Sequence, residues 1–328
     1  MARTGDWTRD TLAAGVRAGD RRALARAITL VESADPLAAE IVHDLYPATG
    51  NAYAIGVTGP PGVGKSSLIG AMLRHVRGLD RTAGVVSVDP SSPFSQGALL
   101  GDRIRLADHF LDPGVFIRSM GTRGHLGGLA EATLQALLLL DASGKDVVFL
   151  ETVGTGQGEV EVIGVADTVL LVLMPGSGDA IQALKAGIME IPDVIAINKL
   201  DHPAAKTMLS DVRSVLSLDR DRAWKVPIVL TEAHRGENVP ELWQHLEDHR
   251  AYLEREGLLE ERRRRNLAGE VFAAASARAR THLEQAVAGD PALRRLLEEV
   301  QRRELDPLSA VREIVERVFG IDGGARPS

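Results

Sequence analysis

The stretch Gly59-Pro60-Pro61-Gly62-Val63-Gly64-Lys65-Ser66 can do chemistry with phosphates. Its pattern is G-x-x-x-x-G-K-S. Glycines let a backbone curl without steric penalty, so successive N–H groups can point inward at a phosphate chain. A lysine at this spacing reaches β- and γ-phosphates, and the hydroxyl after it is placed to ligate Mg2+. Gly59, Pro61, Gly62, Val63, Gly64, Lys65, Ser66 and Ser67 are therefore candidate phosphate-binding residues, with Ser66 also a metal candidate. The competing account is a glycine-rich turn carrying a surface lysine. The context decides against it: Tyr53 to Thr58 reads as a buried strand, and Ser67 to Leu73 has helical apolar spacing.

A second group sits well downstream. Asn198-Lys199-Leu200-Asp201 follows an apolar run and has the N-K-x-D pattern that reads guanine. The Asp201 carboxylate would accept from the N1–H and the exocyclic amino group, two donors that adenine does not present in that arrangement. The Lys199 stem can cover the base face, and Asn198 can tie neighbouring loops together. Thr231-Glu232-Ala233 ends the next strand, where a backbone N–H can meet the guanine oxygen.

Carboxylates supply the rest. Asp89 ends one predicted strand, Asp102 follows in Gly101-Asp102-Arg103, and Glu151 opens Glu151-Thr152-Val153-Gly154. Acidic oxygens beside a triphosphate suit Mg2+. With Ser66, they form the expected metal set. Lys65, Asp102, Glu151 and Gly154 are the expected catalytic group, the Gly154 N–H being placed to touch a γ-phosphate and release the following loop on hydrolysis. Thr155 stands where a water-orienting glutamine follows this glycine in Ras-type proteins. Slow intrinsic hydrolysis, completed by a partner, is the expectation. Arg123 and His125 lie in a glycine-rich loop and read more simply as polar loop residues than as charge stabiliser and base.

These residues need elements to position them. Apolar runs at Ala52–Thr58, Gly84–Val88, Val115–Ser119, Val147–Glu151, Thr168–Met174, Val194–Asn198 and Ile228–Thr231 alternate with helical patterns such as Leu129–Leu140 and Ala204–Leu216. Continuous Val/Ile/Leu strands separated by helices predict an α/β fold with a mostly parallel, doubly wound sheet. Ligands bind at the carboxyl ends of such strands, where every motif above falls. Residues 1–50 read as an N-terminal helical segment, with Asp20 as a cap and Asp35-Pro36 as a cap followed by proline. Residues 51–256 read as the nucleotide-binding domain, and 257–328 as a C-terminal helical arm with an apolar stripe at Leu267, Val271, Phe272, Ala275 and Ala279. The run Arg262 to Arg265 reads as a solvated helix face.

The bulk composition excludes several classes. The 328 residues carry a net charge of −7, with 45% hydrophobic and 25% charged residues. That balance opposes nucleic-acid binding driven by phosphate neutralisation. There are no cysteines, so disulfides, thiolate metal sites and cysteine nucleophiles are out. No apolar stretch is long enough to span a bilayer, and a cytoplasmic protein is the expectation.

Together these motifs resemble the MeaB/ArgK family of GTPases, bacterial relatives of the methylmalonic aciduria type A protein. The likeness also rests on Val88-Asp89-Pro90-Ser91-Ser92-Pro93, Gly97 to Arg103, Arg123 to Leu129 and Glu151 to Gln157. It implies a P-loop G domain of the SIMIBI class, GTP/GDP and Mg2+ as ligands, and a homodimer made through the C-terminal arm. It implies a chaperone role toward an adenosylcobalamin-dependent acyl-CoA mutase, typically methylmalonyl-CoA mutase, with a cobalamin adenosyltransferase open as a further partner. Asp179, Gln182 and Lys185 would belong to a switch segment facing the client. Thr155, Gly158 and Glu232 depart from the family's usual residues. Two other readings stay open: a GTPase for metal-centre insertion, disfavoured by the missing cysteines and nine scattered histidines, and an ArgK-type transport kinase, disfavoured by the guanine-reading Asp201.

Overall fold

The computed structural model describes residues 7–89, 106–121, 129–152, 164–176, 192–218 and 223–320. The apolar runs form strands β1 (Tyr53–Thr58), β2 (Ala83–Asp89), β3 (Val115–Gly121), β4 (Val147–Thr152), β5 (Thr168–Leu173), β6 (Val194–Asn198) and β7 (Ile228–Thr231). They make one seven-stranded sheet in the order β3-β2-β4-β1-β5-β6-β7. Every pairing is parallel, so the expected mostly parallel sheet is parallel throughout. The strand that feeds the glycine loop is therefore central.

Alternate residues of the strands serve two cores, as a period of two requires. Ile55, Val57, Val85 and Phe149 pack with helix α4 (Lys65–Gly78) on one face. Ala54, Val86, Val88 and Leu150 pack on the other, beneath α1 (Arg9–Arg17), α2 (Arg21–Glu32), α3 (Pro36–Leu45) and α5 (Leu129–Ala142). On that second face, Leu171, Leu173, Ile195 and Ile197 are covered by α6 (Ala205–Leu216) through Met208 and Val212. The first face is completed by α7 (Val239–Arg255), whose Trp243 and Leu246 are fully buried. Local sequence explains where the helices start. Thr8 and Thr11 form a reciprocal cap on α1, Asp20 accepts from Arg22 and Ala23, and Asp35 caps α3 ahead of Pro36.

The chain divides into two compact units within helix α8 (Leu258–Gly289), the first running to Glu270 and the second from Val271. In the first unit the arginine run is not simply a solvated face. Arg264 and Arg265 are exposed. Arg262, by contrast, holds both oxygens of Asp193 at 3.1 and 2.8 Å. Arg263 holds both oxygens of Asp167 at 2.7 Å and also donates to the Gly50 and Ala52 carbonyls. These bonds tie the start of α8 to the amino ends of β1, β5 and β6. Beside them the Tyr53 hydroxyl donates to the Leu246 carbonyl and shares a bond with Thr168 Oγ1, each at 2.6 Å. The His249 ring shares a 2.8 Å bond with that Thr168 Oγ1 and faces Asp193 at 3.3 Å. Burial holds the His249 imidazole down at about 4, with Asp193 working the other way.

In the second unit, α9 (Pro291–Gln301) and α10 (Pro307–Phe319) are capped by Asp290 and Asp306. Leu293, Leu296 and Ala310 are buried, while Val271, Phe272, Leu297, Leu308 and Val311 stay exposed. Among the described residues no helix is long and apolar enough to cross a membrane.

Candidate nucleotide site

The glycine loop leaves the carboxyl end of β1 and enters α4. At Gly59 the backbone has φ +140°, and an added Cβ would stand 2.0 Å from the Val172 carbonyl oxygen on β5. Only a residue without a side chain fits between two adjacent strands there. Gly64, at φ +94°, turns the chain into the helix, and a Cβ on it would stand 2.5 Å from Asn198 Nδ2. Pro61 and Gly62 are exposed, Val63 is buried beneath them, and Ser67 is half-buried. Lys65 begins α4 and is 7% exposed. Its ammonium donates to the Gly59 carbonyl at 2.6 Å and to the Pro60 carbonyl at 3.2 Å, so the charge is curled over the loop.

The next residue joins the loop to the sheet. Ser66 Oγ donates to Glu151 Oε1 at 2.6 Å, and Ser87 Oγ donates to Glu151 Oε2 at 2.9 Å. Glu151 lies at the end of β4 and is 1% exposed. Ser87 did not figure in the sequence reading. The available signal was a polar residue at the alternate position of β2 where Ala83 and Val85 precede it on the α4 face. Among the described residues, no group of three or more His, Cys, Asp or Glu side chains is gathered for a metal ion. The donors present here, a hydroxyl and a carboxylate, are all oxygen, the donor class that Mg2+ takes.

The half expected to read the base lies across the loop. Asn198 ends β6 and is 3% exposed. Its Nδ2 donates to the Val63 carbonyl at 2.9 Å, and its Oδ1 accepts from the Ala233 N–H at 3.1 Å and from Thr231 Oγ1 at 3.4 Å. One amide thus fastens the phosphate loop to the Thr231–Ala233 loop. Lys199 has φ +62°, and its ammonium lies 3.4 Å from the Gly62 carbonyl and 3.0 Å from Met174 Sδ. Asp201 is exposed in the turn that follows. Glu232 is buried, with Oε1 accepting from the His234 N–H at 3.3 Å. The structure brings Gly59 to Ser67, Glu151, Asn198 to Asp201 and Thr231 to Ala233 to one end of the sheet. Asp102, Gly154, Asp179, Gln182 and Lys185 lie outside the described residues, as does the side chain of Asp89.

The model of the family described as methylmalonyl Co-A mutase-associated GTPase MeaB matches residues 24–288. The chain belongs to the MeaB family. MeaB-family proteins are GTP-hydrolysing P-loop proteins, and relatives carry the GTPase name. One from Pyrococcus abyssi (strain GE5 / Orsay) is 45% identical over 315 residues, covering 95% of this chain and 97% of its own. GTPase ArgK of Escherichia coli (strain K12) is 36% identical over 258 residues, covering 75% of this chain and 77% of its own. A solved structure titled as an LAO/AO transport system kinase superposes with a TM-score of 0.73 at 26% identity, covering 97% of this chain and 99% of that one.

Proposed function

We propose that this MeaB-family GTPase is a G-protein chaperone that gates adenosylcobalamin loading into a cobalamin-dependent acyl-CoA mutase and protects or reactivates it. Methylmalonyl-CoA mutase is the client of first choice, because the family is named for association with it. The cycle runs on GTP and GDP in the cytoplasm, slowly without the client. The observation that carries the nucleotide part is the Asn198 bridge, which fixes the phosphate-binding and base-reading loops as one piece.

In this reading the curled Lys65 ammonium exchanges its carbonyl partners for β- and γ-phosphate oxygens. The helix start at Lys65 and the N–H groups from Gly62 to Ser67 surround the same phosphates. Asp201 makes no hydrogen bond to the protein among the described residues, so its carboxylate is free for guanine donors, and Lys199 covers the base. Ser66 is the residue that would hold Mg2+, with Glu151 behind it and Asp89 and Asp102 as further acids. Bound there, the ion would neutralise charge on the β- and γ-phosphate oxygens. Gly154 would sense the γ-phosphate, and Asp179, Gln182 and Lys185 would pass its loss to the client. The exposed Val271, Phe272, Leu308 and Val311 support a homodimer through the C-terminal helices.

The test is GTP hydrolysis by the full chain, alone and with each cobalamin-dependent acyl-CoA mutase of the same organism. Slow turnover that rises with one mutase supports the chaperone reading and names the client. Turnover indifferent to every mutase overturns it.

A further inference from the structure

Ser87 occupies a position that the sheet otherwise gives to apolar packing. On β2, Ala83 and Val85 face α4 and are buried there; on β4, Val147 and Phe149 do the same. Two residues further along, both stripes turn polar together, at Ser87 and Glu151. The parallel register pairs these two residues directly across the strands. Neighbours in register stand on the same face of a sheet. Both side chains are fully shielded, Ser87 at 2% exposure, and among the described residues the carboxylate's other oxygen accepts from Ser66 at the head of α4.

We propose that Ser87 is a positioning residue for the nucleotide site. It anchors Glu151 Oε2 so that Oε1 stays aimed at Ser66. The inference deepens the functional reading above and rests on its placement of Glu151 beside the bound nucleotide. A buried carboxylate needs its oxygens satisfied, and hydrogen bonds to a charged acceptor are the strong kind. With one oxygen fixed to the rigid β2 strand, the carboxylate cannot swing about χ3 when the Ser66 hydroxyl reorients toward a ligand. Ser87 therefore holds the acid in one pose through the GTP and GDP states. It touches neither nucleotide nor metal in this account.

The experiment compares the full chain with Ser87→Ala, Ser87→Thr and Glu151→Gln. GDP affinity is measured by calorimetry with Mg2+ and with chelator, and steady-state GTP hydrolysis at saturating Mg2+. Ser87→Ala is expected to lose about tenfold of the affinity that Mg2+ contributes, leave the chelator value unchanged, and lower kcat about tenfold with KM for GTP steady. Ser87→Thr keeps the hydroxyl and should recover most of the loss. Should the alanine chain fail to fold by its unfolding midpoint, Ser87→Cys keeps the volume with only a weak donor and takes its place. If Glu151→Gln is impaired while Ser87→Ala matches the unaltered chain, the Ser87 role is wrong. If Ser87→Thr is as impaired as Ser87→Ala, the residue acts by packing alone and the role is again wrong. If Glu151→Gln itself behaves as the unaltered chain, it is the placement of Glu151 that fails.

Discussion

Replacing Asn198 with alanine strips the bridge between the glycine loop and the Thr231–Ala233 loop, the two halves of the proposed nucleotide site. The change leaves the Val63 carbonyl and the Ala233 N–H without the partners they hold at 2.9 and 3.1 Å, both in buried positions. An orphaned buried polar group costs ~1–3 kcal/mol. Water reaches loops at the rim of a site more readily than a core, so the lower half of the range applies, and the pair costs about 3 kcal/mol. Where that cost falls depends on whether the loops stay together. If they stay, the free protein is destabilised, and ~3 kcal/mol in a unit of this size lowers the unfolding midpoint by about 6–12 °C. If they part, the fold is spared, but binding guanine nucleotide must pull them back into register and affinity falls, tenfold for each ~1.4 kcal/mol. The two losses should therefore sum to about 3 kcal/mol. Calorimetric unfolding of the nucleotide-free chain gives the first, and titration with GDP gives the second. A sum below ~1 kcal/mol would refute the reasoning, because the bridge would then be dispensable.

Gly59→Ala should abolish guanine-nucleotide binding, since a Cβ 2.0 Å from the Val172 carbonyl meets backbone on a neighbouring strand that cannot give way; unaltered GDP titration would show that the loop can be rebuilt. Arg263→Ala strands the buried Asp167 carboxylate at the foot of the sheet and should cost about 3–5 kcal/mol of stability, read as a lower denaturant midpoint. Acid should loosen the fold through His249. Its folded value of about 4 lies below the ordinary 6.5, so the unfolded chain takes up the proton first. The contribution is complete above pH 6.5 and is lost as pH falls toward 4, at ~1.4 kcal/mol per unit and about 3 kcal/mol in all. His249→Gln should flatten stability across that window, and a slope equal to that of the unaltered chain would assign the acid sensitivity elsewhere.

The strands were legible because burial on both faces writes itself as unbroken Val/Ile/Leu, and each expected strand falls within two residues of the observed one. The glycine loop and Asn198-Lys199-Leu200-Asp201 were legible because each is a contiguous motif. What escaped is chemistry made by distant pairs. Arg262 and Arg263 look locally like any exposed basic run. Their partners, Asp193 and Asp167, lie 69 and 96 residues away, and nothing near the arginines distinguishes a clamp from a solvated face. Ser87 is silent for the same reason, since a single serine in a strand has no period and only the register across to Glu151 gives it a role.

The strand order has a consequence for how the site wears. β1 is paired along its length by β4 on one side and β5 on the other, with three strands beyond it on one flank counted from β4 and three on the other counted from β5. Its amides have no local route to solvent and can exchange for deuterium only when the whole unit opens. The loop that would grip phosphate is rooted in that strand, so its β1 end stays anchored while the fold persists. Exchange at Ile55 and Val57 would thus time the opening of the unit that carries the loop's root, the longest that the site can last.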